Sequence, residues 1–138
     1  MTSDIRTVGA LQNPTLFLRR VLLADAATCV ASGVLTSVLT STVAGLTQIP
    51  STVLFYSGLS LFPIAAFMAF VATRVALPVA GVWLVILGNL GWVLGSLWLI
   101  VGGGISPNAL GVAFIVAQAT AVAVLAALEY VGLRHVTA

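Results

Sequence analysis

The sequence predicts an all-α fold, an integral membrane four-helix antiparallel bundle. Two features of composition point there: 61% of the 138 residues are hydrophobic and only 6% are charged. A water-soluble domain usually carries about 25% charged residues. Five arginines, no lysine and three acids cannot cover an aqueous surface. A third observation is spacing: the apolar residues fall into four runs, each near the roughly 20 residues a spanning helix needs.

The first span follows Arg19 and Arg20 and covers 21–46, ending in the turn Thr47-Gln48-Ile49-Pro50-Ser51. The second covers 52–72 and stops at Thr73-Arg74. Pro78 opens the third, at a first-turn position where its missing N–H costs nothing, and that span covers 78–101. The run Gly102-Gly103-Gly104-Ile105-Ser106-Pro107-Asn108 is a loop, and the fourth span covers 109–131. Residues 1–15 are polar, with no short apolar run leading to a cleavage site, so no signal peptide is expected. The whole of 1–138 reads as one transmembrane domain.

Arginine placement orients the spans. Arg6, Arg19 and Arg20 precede the first, Arg74 lies between the second and third, and Arg134 follows the fourth. Four crossings put these places on one side, and the loops 47–51 and 102–108 hold no Lys or Arg. The positive-inside rule then expects both termini in the cytoplasm, in a multi-pass protein of the cell membrane, an inner membrane in bacteria. The high pI comes from arginines near helix ends, so no nucleic-acid partner is expected. The two other loops are of the length that joins neighbouring helices. Action is therefore expected within the bilayer or at its cytoplasmic edge.

Ionisable residues within a span are costly and mark functional candidates. Asp25 and Glu129 are the two, both expected to lie shallow on the arginine side. There they are expected to pair across helices with Arg20, Arg74 or Arg134, or else to act as proton-coupled or cation-binding carboxylates or touch a partner. Asp25, Thr28, Cys29, Ser32, Thr36 and Thr40 share one face of the first span. Such residues let helices approach and hydrogen-bond, or line a small cavity. In the second span, Tyr56, Ser57 and Ser60 precede Pro63, which removes a backbone hydrogen bond, frees the carbonyl of Leu59 and predicts a kink.

The third span holds Gly91 and Gly95, a small-xxx-small pair suited to close helix contact, with Asn89, Trp92 and Ser96 on one face. Trp83 and Trp98 fall near the interfaces as belt residues. Trp92 lies deeper, and its indole N–H needs an acceptor: Asn89, Ser60 or a freed carbonyl. In the fourth span, Gln118 and Glu129 share a face. The expectation is an inward polar seam, with Ser32, Thr36, Ser60, Asn89, Trp92 and Gln118 at mid-depth and Asp25 and Glu129 below.

No HExxH, no intramembrane Ser–His pair, no second histidine and no phosphate loop is present, so no cofactor or metal is expected, and an enzyme acting on a lipid or quinone-like substrate near Asp25 or Glu129 ranks last among the functions. Cys29, the one cysteine, forms no intrachain disulfide, and His135 reads as a solvated tail residue. The four-span plan, with an acid in span one and glycines in span three, resembles small multidrug-resistance transporters. Those are shorter and use a glutamate in the first span, whereas here the acid is Asp25, expected to lie shallow, and the arginine bias fixes one orientation, so the resemblance implies no site residue here. The first functional expectation is a subunit, assembly factor or scaffold acting through helix–helix or lipid contacts. Its partners would be membrane lipids and a homo-oligomer or membrane protein met through Gly91 and Gly95. The alternative is a small transporter or binding protein for a lipophilic or cationic molecule, using the polar seam. The two separate on whether the interior is packed solid or holds a cavity.

Overall fold

The structure, a computed structural model, describes residues 13–137; Arg6 lies outside them. The described residues form helices α1 (Pro14–Val38), α2 (Thr40–Thr47), α3 (Ser51–Thr73), α4 (Val79–Val101) and α5 (Ala109–Thr137), with no strand among them. Helices α1, α3, α4 and α5 are long and apolar enough to cross a membrane. At about 1.5 Å per residue, even the shorter two exceed the roughly 30 Å hydrocarbon core.

Helix α1 starts at Pro14, well before the expected Val21. Asn13 caps it, its side-chain oxygen accepting the Leu16 N–H at 3.1 Å, with Pro14 at the first helical position. This is the ordinary chemistry of a helix start. Asp25 therefore stands about three turns into its helix. The first span is also not continuous. Leu39 (φ −102°, ψ 32°) separates α1 from α2. The hydroxyls of Thr36, Ser37 and Thr40 donate to the carbonyls of Ser32, Gly33 and Thr36, four residues earlier, and such back-bonding bends a helix.

Helix α1 packs against α3 and α5, and α4 packs against α5, whereas α3 and α4 barely meet although only residues 74–78 join them. The most extensive helix contact lies between α1 and α3. A Cβ on Gly58 would overlap Thr36 Oγ1 and come within 3.0 Å of the Ser37 nitrogen; one on Gly33 would come within 3.0 Å of the Gly58 carbonyl oxygen. Gly91 and Gly95, expected to make such a contact, lie on an exposed face of α4 and meet no other helix.

Two apolar clusters close the bundle ends. Leu18, Leu22, Met68, Val71, Val82 and Leu133 fill the end that carries Arg19, Arg74 and Arg134. Val43, Ile49, Leu54 and Ile115 fill the other. Each end is also tied by polar contacts. The Arg19 guanidinium donates to the carbonyls of Ala72 (2.7 Å), Arg74 and Val75 (2.9 Å), around the C-terminal end of α3. At the opposite end Asn108 donates from its side chain to the Leu46 carbonyl (2.9 Å) and from its backbone to that of Thr47 (3.0 Å). Its side-chain oxygen accepts from Gly111 N–H at 2.8 Å, near the start of α5. Between the two apolar ends lies a polar layer.

Candidate intramembrane binding site

Three helices bring three polar side chains to one point. Asn89 of α4 donates from Nδ2 to Asp25 Oδ2 of α1 at 2.7 Å, and to both carboxyl oxygens of Glu129 on α5, at 3.2 and 3.3 Å. Exposure is 1% for Asp25, 5% for Asn89 and 0% for Glu129. Sharing one donor keeps Asp25 Oδ2 and the Glu129 oxygens no more than about 6 Å apart, the sum of the two bond lengths. The Cys29 thiol reaches Asp25 Oδ1 at 3.8 Å. A carboxamide has two N–H groups, so these two acids take all that Asn89 has to give.

The expected ion pairs with Arg20, Arg74 and Arg134 do not form. Arg74 lies over the Phe70 ring at 4.2 Å, the Arg134 guanidinium sits 5.9 Å from the Tyr130 ring, and Arg20 is exposed. Helix geometry gives the reason. Arg20 precedes Asp25, and Arg134 follows Glu129, by five residues, which is about 140° around a helix and about 7.5 Å along it. Arginines directed outward at the bundle end cannot turn to meet acids directed at its axis. Nor are the acids shallow: they bond directly to Asn89, near the middle of α4.

A second knot lies about one turn further along α4. Trp92 Nε1 donates to Gln118 Oε1 at 2.8 Å, so the indole acceptor is neither Asn89, Ser60 nor the Leu59 carbonyl. Gln118 Nε2 donates to Ser96 Oγ (2.9 Å) and the Ile115 carbonyl (3.0 Å), and Ser96 donates to the Trp92 carbonyl (2.8 Å). No buried side-chain N or O among the described residues lacks a partner.

The layer around these knots is hollow. A chamber of about 170 Å³ is lined from all four spans, with Asp25, Ser32, Thr36, Trp92, Ser96 and Gln118 as its polar wall. A cleft of about 360 Å³ lies between α3 and α4, lined by Pro63, Phe67, Leu84, Gly88, Asn89 and Trp92 among others. Chamber and cleft share Cys29, Leu61, Trp92 and Val122 as a common wall. A void of roughly 150 Å³ holds a benzene ring, so each space is ligand-sized. Ser60 lines neither; its hydroxyl donates to the Ser57 carbonyl on its own helix at 2.7 Å, and Ser57 lines the chamber instead.

Sequence reasoning passed over Arg19 as a contact and the Gly33–Gly58 crossing. Cys29, Gly33 and Ser37, spaced by four, were the available signal for the crossing. Among the described residues, no three His, Cys, Asp or Glu side chains converge in metal-binding fashion. The site holds two buried carboxyl groups beside space: Asp25 lines the chamber, and Glu129 lies behind Asn89 and lines neither chamber nor cleft. No protein-family model, curated protein or solved structure matches this chain.

Proposed function

We propose that the chain is an intramembrane binding protein or transporter for a small lipophilic molecule carrying a cationic group. The observation that carries this reading is the pair Asp25 and Glu129, buried around one neutral amide beside a ligand-sized chamber. Carboxyl groups in lipid are costly unless partnered, and removing a charge from water costs several kcal/mol even after relaxation. A ligand ammonium offers three donors and the opposite charge. An interior holding a chamber and a cleft favours binding over a purely structural seam. By the arginine bias, the Arg19 end faces the cytoplasm of a cell or inner membrane.

The test is titration of the reconstituted protein with decylammonium and with decanol, followed by tryptophan fluorescence. Decylammonium should bind saturably and at least about tenfold more tightly, a difference of about 1.4 kcal/mol. Asp25→Asn and Glu129→Gln should each erase that preference while retaining the helical circular dichroism. Equal affinities for amine and alcohol in the unaltered protein would remove the reading's support.

A second reading, a subunit or scaffold, is favoured by one observation. Gly88, Gly91 and Gly95 line one exposed face of α4, and a Cβ on any of them would meet nothing. Native mass spectrometry of the protein and of Gly91→Leu would test it, since a specific oligomer or complex should be lost in the variant.

A further inference from the structure

We infer that the cleft between α3 and α4 is the lateral mouth of the site, through which a bilayer-dissolved alkyl amine reaches the buried carboxyl groups. The inference rests on the reading of Asp25 and Glu129 given above for the ligand's head, and on independent geometry for its route.

Four features of the bundle define that route. Helices α3 and α4 are neighbours in the chain yet pack against different partners, leaving a gap where the other neighbours close. The gap is apolar at its rim, where Phe67, Leu84 and Gly88 are exposed, and polar at its inner end, where Asn89 and Trp92 stand. Asn89 itself bonds both acids, so a chain seated in the cleft brings its terminal group to the amide that holds them, although neither carboxyl lines the cleft itself. Neither bundle end offers a competing route. Leu18, Leu22, Val82 and Leu133, at 0 to 2% exposure, fill one, and Ile49, Leu54 and Ile115, at 3 to 4%, fill the other.

The order of chemistry along this path matches one class of occupant. Hydrocarbon lies against Pro63, Phe67 and Leu84, a single hydrogen-bonding cation meets Asn89 with Asp25 and Glu129 behind it, and no charge is met on the way in. The cleft, at about 360 Å³, holds more than twice the volume that suits a benzene ring, roughly 150 Å³.

Trp92 lines both chamber and cleft and serves as the reporter. A chain with Trp83→Phe and Trp98→Phe, reconstituted in phosphatidylcholine nanodiscs, is titrated with decylamine and with decane, and the Trp92 emission reports occupancy of the inner end of the cleft. Gly88→Phe fills the mouth, and the open space at that Cβ lets the bundle accept it. Gly91→Phe controls for bulk on the exposed face outside the cleft lining. Ala121→Phe obstructs the exposed rim between α1 and α5, where Thr28 and Ser32 also stand.

Gly88→Phe should raise the half-saturating concentration of decylamine by about tenfold or more, with Gly91→Phe within about twofold of the parent. Unchanged binding in Gly88→Phe overturns the inference, and if Ala121→Phe blocks at the same time the mouth lies between α1 and α5 instead. If Gly88→Phe blocks amine and alkane alike and the parent binds both equally, the lateral mouth stands and the carboxyl reading falls.

Discussion

Replacing Asn89 with leucine isolates the central interaction of the bundle. The substitution keeps the branched shape and the number of side-chain heavy atoms, so no cavity opens. It removes the one amide that holds Asp25 and Glu129. An interhelical hydrogen bond inside a membrane is worth about 0.6 to 2 kcal/mol. Leaving a buried acceptor without its donor costs about 1 to 3 kcal/mol. With two carboxyl groups at 0 and 1% exposure, the stranded-acceptor cost governs, and the expected loss is about 2 to 6 kcal/mol. The triple variant Asp25→Leu/Asn89→Leu/Glu129→Met removes donor and acceptors together and should return to within about 1 kcal/mol of the parent. Unfolding by sodium dodecyl sulfate titration in mixed micelles, followed by tryptophan fluorescence, measures both. A loss below about 0.5 kcal/mol in the single variant would refute the reasoning, because the carboxyls would then draw their stabilisation from elsewhere.

Further expectations use the same unfolding assay unless stated. Arg19→Ala cuts three hydrogen bonds to the end of α3 and should cost about 1 to 3 kcal/mol, whereas Arg20→Ala should stay within about 0.5 kcal/mol of the parent. Gly58→Val forces side-chain atoms into Thr36 and the Ser37 backbone and should cost about 3 kcal/mol or more, against a near-neutral Gly91→Val. Gly111→Ala drives a methyl group into the Thr47 carbonyl and should part the loop contact at that end, at about 1 to 3 kcal/mol. For orientation, Ala76→Cys and Gly104→Cys in a Cys29→Ala background should label oppositely with a membrane-impermeant thiol reagent in intact cells. Gly104→Cys should be the reactive one.

The four spans are legible because lipid imposes a gross requirement, namely long apolar runs, that composition displays directly. Which polar residues turn inward is legible for a similar reason. Asn89, Trp92, Gln118, Asp25 and Glu129 carry groups that hydrocarbon cannot satisfy, and an inward face is their remedy. Ser60 was misplaced because a hydroxyl has another remedy in its own helix carbonyls. Pairing was harder. Asp25 lies further along its helix than Arg19 and Arg20 suggest, because an arginine does not mark the membrane edge at its Cα. Long arginine side chains extend well beyond that point, and Arg19 spends its length on the carbonyls of α3. The Asn13-Pro14 cap marks the helix start and puts Asp25 about three turns into α1. Gly91 and Gly95 show a different gap: a small-residue pattern specifies a smooth surface and leaves its partner unnamed.

A site reached only from the side is loaded from the lipid phase, not from the aqueous one. Its occupancy follows the ligand's mole fraction in the bilayer, so a dissociation constant expressed against aqueous concentration contains the partition coefficient. Lengthening an alkyl amine by one methylene shifts that partition by about 0.8 kcal/mol, close to fourfold. A chain-length series would therefore show rising potency even if the cleft had no preference. Raising the lipid-to-protein ratio at fixed total ligand would weaken apparent binding. Expressed per lipid, the same series should plateau at the length that fills the space between Phe67 and Asn89, and that plateau is the dimension the gap between α3 and α4 imposes.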